Sequence, residues 1–518
     1  MNQPPERVSS DEEAPANSFA DPEIGSGGLG ETVARGVGMA GIGYVAAQLL
    51  TLGFYLVLAR LLTPHQFGLF AAGSLLATIG ALFTESGMMA ALIHRADRLE
   101  EAASTAVLAA FAGGLGFGLL GVASAPLVGF FFGNGEIGEI AAAMSGVLLI
   151  RSLIVVPEAL LQRRFSFLRR MVIQPVGVIA LGSSAIVAAS NGLGAWSMVI
   201  GYYAAATVDV VLSWALVRWR PNFRLASFGM WRELVGYGRH VLASLIVLRL
   251  SEGVPVVLLG RFVGSNPLGQ FRYAERMSGV PLLVVIQSAS YVLFPALARI
   301  TDDRERFRAA CMRALRLMCA VAFPLGLILV PLGVPLAVIV FGEVWRNSGY
   351  ATMALAGIPV GGAVVAFATE VVKADGRPDV LVRLQTVILV VSAVAMVALL
   401  PLGLIGIAIG TSLGSLAGGV YSMRKAANLI EVSSMQLLRG VWPAGLAAGL
   451  MAAALVPIQF VLIDASSLGT LDGLALIAGE SIAAALLYLG LLRLFAPATA
   501  GDLNSLLGGL LRRFSSRA

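Results

Sequence analysis

Charge, cysteine, histidine and lysine are all scarce in this chain. Only 13% of its 518 residues are charged, about half the share a soluble globular domain carries, which excludes that class. The two cysteines, Cys311 and Cys319, fall on one expected helix too far apart to pair within it, so a disulfide framework is excluded and both read as packing residues. His65, His94 and His240 are scattered without ligand spacing, so no metal site and no cofactor are expected. Lysine occurs only at Lys373 and Lys425, and the remaining cations are arginine. No loop exceeds about 25 residues, which leaves no room for a soluble catalytic domain and nominates no catalytic residue. The short alternating segments of an outer-membrane barrel are absent as well. The stretch 1–33 is acidic and rich in Pro, Ser and Gly, and it lacks the basic-then-apolar order of a cleavable signal. It is expected to be a disordered cytoplasmic tail.

What is present in abundance is apolar sequence: 58% hydrophobic residues and a mean hydropathy of +0.85. Charge collects in short clusters between apolar runs of about 20 residues, the length a helix needs to cross a bilayer. Runs near 37–62, 66–93, 103–132, 137–160, 171–190 and 195–217 make one set of six. Runs near 239–263, 268–298, 314–341, 350–373, 380–400 and 404–423 make a second set, followed by two more near 440–463 and 472–495. The sequence therefore predicts an all-α membrane protein of about 14 transmembrane helices: two six-helix lobes plus two C-terminal helices. The lobes are placed at 34–217 and 237–430, with a cytoplasmic linker at 218–236, the added pair at 431–496 and an amphipathic cytoplasmic tail at 497–518.

Net charge is +6 and the pI about 9.6, yet the basic residues mark loops rather than one face for nucleic acid. Threading the spans sends Arg95, Arg163, Arg164, Arg169, Arg170, Arg218, Arg220, Arg224, Arg304, Arg306, Arg308, Arg377, Arg424 and Lys425 to one side. About 29 of the 36 Lys and Arg lie there, which assigns that side and both termini to the cytoplasm. Arg60, Arg261, Arg272 and Arg346 lie at the other face.

An internal repeat joins the two sets. "LARLLTPHQFGLF" and "LGRFVGSNPLGQF" align so that Arg60, Gly68 and Phe70 correspond to Arg261, Gly269 and Phe271. Parallel six-helix repeats predict pseudosymmetric lobes around a central cavity. Gly406, Gly410, Gly414 and Gly418 stack on one helix face, a packing signal. The GxGxxG at Gly36 to Gly41 follows no strand and is discarded as a nucleotide loop.

Charges inside spans need a reason, because each costs about 2.5–3.5 kcal/mol at mid-bilayer unless it faces protein or water. Arg249 and Glu252 fall near the midplane on one face of a helix. They either lock helices together or line a hydrated cavity. The repeat maps Gln48 onto Arg249 and Thr51 onto Glu252, which places polar residues on both lobes. Arg276, with Glu275 and Arg272 on the next helix, and Arg151, Asp209 and Glu85 are further candidates. Glu252, Asp209 and Glu275 are the candidate ion-coupling groups. Glu158, Glu370 and Lys373 lie near span ends, where snorkelling is expected. Arginine in a cavity suits an anionic cargo through forked hydrogen bonds to phosphate.

The ordered motifs "LARLLTPHQFGLFA", "ESGMMAALIHR", "PEALLQRRFSF", "GLGAWSMVIGYY", "RWRPNFRLA", "YVLFPALARI", "FGEVW", "KADGRPDVLVRL" and "PLGLIGIAIG" make the chain resemble a Wzx-type polysaccharide transporter. That type lies within the multidrug/oligosaccharidyl-lipid/polysaccharide exporter superfamily, near the colanic-acid and lipopolysaccharide exporter group. The resemblance implies alternating access that carries an undecaprenyl-pyrophosphate-linked oligosaccharide across the bacterial inner membrane. Membrane lipids and polysaccharide polymerase or export machinery are the implied partners, and nucleic acid is not. The family motifs do not designate Arg249 or Glu252, whose nomination rests on depth in the membrane. A multidrug or small-cation antiporter of the same superfamily is the alternative, and it predicts a cavity dominated by acids.

Overall fold

The computed structural model describes residues 46–82, 87–95, 97–163, 167–217, 219–288, 303–374, 379–459 and 470–503. The expected N-terminal tail 1–33, Glu85, the "YVLFPALARI" segment and residues 504–518 of the expected C-terminal tail lie outside them. No strand occurs among the described residues.

The first set of helices comprises α1 (Ala46–Leu61), α2 (Pro64–Gly73), α3 (Leu75–Ala81), α4 (Gly87–His94), α5 (Leu99–Phe132), α6 (Gly135–Ser152), α7 (Val155–Arg163), α8 (Phe167–Ser190) and α9 (Trp196–Val217). The second comprises α10 (Phe228–Leu258), α11 (Ser265–Ser288), α12 (Arg304–Leu327), α13 (Leu329–Leu336), α14 (Arg346–Ala354), α15 (Gly357–Ala374), α16 (Asp379–Ala398) and α17 (Gly403–Leu429). Helices α18 (Ser434–Pro457) and α19 (Thr470–Phe495) follow. This is the multi-pass, two-lobed all-α plan that the hydropathy pattern predicts.

Among the described residues eight helices are long and apolar enough to cross a membrane, and ten if the bent pairs α6–α7 and α14–α15 each count as one span. The expected spans not among them include α1, the broken α2–α4, α10 and α11. These helices face between the lobes, where charge and breaks are tolerated, so composition alone undercounts them.

Boundaries shift where charged residues interrupt an apolar run. α10 begins at Phe228, well before the expected 239, because the Ser227 hydroxyl caps the Met230 N–H and the helix carries Arg232 and Glu233 along its exposed face. Arg304 to Arg313, between the expected spans 268–298 and 314–341, opens α12, capped by Asp303.

Breaks inside the bilayer free backbone carbonyls, and side chains from neighbouring helices meet them. Pro157 has no N–H for the Leu153 carbonyl, which accepts from the Trp214 indole at 3.0 Å instead. Pro324 leaves the Ala320 carbonyl free, and the Tyr488 hydroxyl donates to it at 2.7 Å. At the α14–α15 bend of 44° the Ala354 carbonyl accepts from the Ser412 hydroxyl at 2.6 Å. Lipid offers no substitute partner, so each bond matters to its break. Tyr488→Phe is expected to lower stability by about 1–3 kcal/mol by orphaning a buried carbonyl, seen as a reduced thermal midpoint of the purified protein.

The expected glycine face of α17 packs on α16. A side chain at Gly410 would meet the Met396 backbone, and one at Gly414 or Gly418 would meet Ser392 or Ile388. Cys311 and Cys319 are free and fully buried against α15 and α18 neighbours.

Candidate functional site

The two lobes meet where α2 crosses α11, at the positions the repeat identified. Thr63 caps α2 in a reciprocal box with Gln66, with Pro64 opening the helix. In the other lobe Gly264, at φ 120°, turns the chain into α11. Gly68 lies against the Ser265 carbonyl, and Gly269 lies against the Pro64 carbonyl. Each glycine thus packs on the residue four before its repeat mate. The contact is self-complementary, as a pseudo-twofold axis requires. Any Cβ at either position would overlap a backbone oxygen.

Around this crossing the seal is aromatic and hydrogen-bonded. Phe67 packs edge-on to Tyr273, with ring centroids 4.8 Å apart, and Tyr273 packs on Trp345 at 4.1 Å. The Trp345 indole donates to the Ala59 carbonyl at 2.9 Å and the Tyr273 hydroxyl to the Tyr55 carbonyl at 2.8 Å. Arg60 reaches across the lobes to the carbonyls of Ile339 and Val340, at 2.7 and 2.8 Å, which a π-helical turn leaves open. Gln270 completes the set, donating to the Val344 carbonyl at 2.7 Å and accepting from the Ser348 N–H at 2.8 Å. Trp345, Phe271 and Tyr273 are almost wholly buried. Arg60 and Phe271 therefore belong to the seal between lobes, a role their pairing in the repeat did not specify.

Beneath the seal, towards the bundle interior, lies a cavity of about 300 Å³. Tyr55, Phe67, Phe70, Ser74, Thr78, Met198 and Tyr202 line it from the first lobe, and Arg272, Tyr273, Glu275 and Arg276 from the second. The Arg276 guanidinium stacks over the Tyr55 ring, 4.0 Å from its centroid. Arg272 pairs with Glu275 at 2.7 Å, one turn apart on α11. Tyr55 and Tyr202 face each other across the cavity lining, and the charges of Arg276 and Arg151 both act on Tyr202.

Of the residues nominated from sequence, Arg276 and Glu275 stand in the cavity wall with Arg272. Arg151 does not line the cavity, and its charge acts on both Tyr202 and Asp209. Asp209 sits against Gly177 of α8, and its Oδ1 is buried with no hydrogen-bond partner among the described residues. Arg249 and Glu252 pair at 2.7 Å on α10, each about two-fifths exposed (41% and 43%). Neither lines the cavity, although the Glu252 carboxylate acts electrostatically on Arg272 within it. Gln48 and Thr51 make no hydrogen bond to Arg249 or Glu252 among the described residues. The Thr51 hydroxyl bonds the Ala47 carbonyl of its own helix at 2.6 Å. Glu370 is buried beside Lys373 at 3.0 Å.

The aromatic walls were not nominated. Tyr202 is the penultimate residue of "GLGAWSMVIGYY" and Trp345 ends "FGEVW". A tyrosine in an apolar helix is simply indistinguishable from packing until its neighbours are known.

The arrangement can hold an anion. Two guanidinium groups, one on an aromatic face and one held by a carboxylate, project into a pocket with tyrosine hydroxyls and the polar Ser74 and Thr78. The one carboxylate in the cavity lining, Glu275, is bonded to Arg272.

Comparison with known proteins agrees with this plan. The sequence pattern of the family described as polysaccharide biosynthesis protein matches residues 57–349. The succinoglycan biosynthesis transport protein ExoT of Rhizobium meliloti (strain 1021) is 26% identical over 61% of this chain and 64% of its own length. The lipopolysaccharide biosynthesis protein WzxC of Escherichia coli (strain K12) is 27% identical over 56% of this chain and 59% of its own. The chain thus spans about three fifths of the length of these relatives. Among solved structures, lipid II flippase MurJ in an inward closed conformation superposes with a TM-score of 0.71, covering 88% of this chain and 98% of that one at 14% identity. That likeness establishes the fold.

Proposed function

This chain belongs to the polysaccharide biosynthesis protein family, and from that premise we propose that it is a flippase rather than an enzyme. Its cargo is an undecaprenyl-pyrophosphate-linked oligosaccharide, a precursor of exopolysaccharide or lipopolysaccharide. It works by alternating access in the bacterial inner membrane, with both termini in the cytoplasm. The observation that carries the reading is the cavity between the lobes, where Arg272 and Arg276 converge under a seal formed by both. A diphosphate offers two adjacent charged phosphates whose oxygens planar guanidinium groups can chelate, whereas an ordinary zwitterionic lipid carries a single phosphate beside its own cation. The names of ExoT, WzxC and MurJ, which concern glycan export and lipid II, support the same class of cargo.

On this reading the structure is closed at the end α1 reaches and that end faces outward. The cations of the opposite end, among them Arg95, Arg224, Arg304 and Arg424, then lie in the cytoplasm. Arg249 and Glu252 form a half-hydrated approach to the cavity, and Arg151 backs Tyr202 from within the first lobe. Of the three coupling carboxylates, Asp209 has an unoccupied buried oxygen, whereas Glu252 and Glu275 must first leave an arginine.

Reconstituted vesicles supplied with lipid-linked sugar test the proposal: protein-containing vesicles should translocate it, and a rate equal to that of empty vesicles removes the flippase assignment. In the same vesicles Arg249→Ala should slow translocation about tenfold, the loss of one charge-assisted bond. Full activity at normal abundance would take Arg249 off the path.

A further inference from the structure

Helices α18 and α19 lie outside the two lobes, and one pair of side chains between them has no part in the cavity. Along α19 the buried residues are Gly473, Ile477, Glu480, Ala484, Tyr488 and Leu492, a single stripe at helical spacing. Glu480 occupies a core position in that stripe and is 9% exposed. Ile477, one turn away, packs with Leu332 and Ile339 in an apolar cluster. The partner of Glu480 is Gln459, two residues past the end of α18 and 5% exposed, whose Nε2 donates to Glu480 Oε2.

That bond leaves two atoms over. Glu480 Oε1 and Gln459 Oε1 are both buried, and neither has a hydrogen-bond partner among the described residues. Among the described residues no charged group acts on the Glu480 carboxylate. The segment Leu329–Phe341 packed on α19 carries none. On α18, Arg439 is about 30 Å along the helix from Gln459. On α19, Asp472 and Arg493 are about 12 and 20 Å from Glu480 along the axis. An ionised Glu480 would set two acceptor oxygens against each other in lipid with no counter-charge.

One proton removes both defects. We infer that Glu480 is carried as a neutral carboxylic acid whose Oε1–H donates to Gln459 Oε1, closing a cyclic acid–amide pair that fastens α19 to α18. The pair is a proton-binding site outside the transport cavity. Its occupancy sets whether the C-terminal helix stays docked. When Glu480 loses its proton, the Oε1···Oε1 bond is lost and the carboxylate is driven towards water. The docked state holds one more proton than the undocked state, so docking weakens about tenfold for each unit of rising pH once the hydrated acid is ionised. The inference stands whether or not the cavity carries a lipid-linked sugar.

Infrared spectroscopy of the purified protein in lipid nanodiscs at neutral pH reads the proton directly. Wild type should show the carbonyl stretch of a protonated acid that Glu480→Gln lacks, and identical spectra would overturn the inference. Glu480→Gln preserves both hydrogen bonds without a titrating group, because its amide donates where the acid did. Its thermal midpoint should therefore resist alkaline pH, while that of wild type falls; parallel profiles would count against the latch. A measurement on wild type alone needs no variant to fold. Sodium added at fixed alkaline pH should leave the midpoint unchanged, and stabilisation by sodium would mean that the two oxygens hold a metal cation instead of sharing a proton.

Discussion

Gly269→Val should hold the lobes apart at the α2–α11 crossing and nearly abolish transport. Its Cβ would overlap the Pro64 carbonyl oxygen, and the obstacle is backbone, which no rotamer change relieves. Overpacking of this kind costs about 1–3 kcal/mol, and it falls on the arrangement in which the two helices touch at this point. The closed population should drop about five- to 150-fold. Gly68→Val should do the same from the other side, since its Cβ meets the Ser265 carbonyl. A reporter cysteine at Thr352, 2% exposed on α14, reads the change: maleimide labelling of the purified protein should rise sharply in either variant. Wild-type labelling together with full transport would show that the crossing is not the closure.

The second large effect is expected at Arg276. Stacked on Tyr55 at 4.0 Å, it is held in the cavity wall by an aromatic face rather than by a carboxylate, so its donors stay available to a ligand. Arg276→Ala should cut translocation about ten- to 150-fold, the range for hydrogen bonds to charged groups, with little change in abundance. Arg276→Lys should recover only a small part, because an ammonium neither forks onto a diphosphate nor spreads its charge over the ring. Arg272→Ala should be milder in stability than in transport, since it frees Glu275 to face the hydrated cavity. Equal transport by Arg276→Ala and wild type would move the binding site elsewhere, while loss in Arg276→Ala with full recovery in Arg276→Lys would reduce the role to charge alone.

The two effects separate binding from closure. The glycine variants should leave ligand access intact and stop the cycle, whereas Arg276→Ala should leave the closure intact and lose the ligand. Thr352→Cys labelling distinguishes them, rising in the first case and unchanged in the second.

The sequence carried much of the site, but unevenly. Arg276 and Glu275 were nominated from their depth in an apolar run, and they stand in the cavity wall with Arg272. Arg249 and Glu252 were nominated on the same ground, and they form an intrahelical pair about two-fifths exposed, away from the cavity lining. Depth identifies a charge that needs a partner, and it does not say whether the partner is a neighbour on the same helix or a ligand. Glu480 carries no signal in the sequence, because a single acid in the middle of a late apolar run gives no hint that Gln459 faces it. Tyr55 and Tyr202 were invisible for the opposite reason: they look like every other aromatic in a membrane helix.

What the sequence determined by itself was the class and the symmetry. Apolar runs without enough charge to be soluble dictate membrane helices, since in lipid every backbone group must be bonded within its own segment. The paired motifs around Gly68 and Gly269 dictate two related halves, since a helix crossing that tight admits no side chain on either strand of the repeat. Tertiary structure alone decided which polar groups share a space. It brought Arg276 onto Tyr55 from 221 positions away, set Arg60 on carbonyls freed by a π-turn in the other lobe, and turned Glu480 inward to Gln459. Those pairings depend on helix rotation and crossing, which are settled by packing over the whole bundle, whereas hydropathy records only how deep each residue lies.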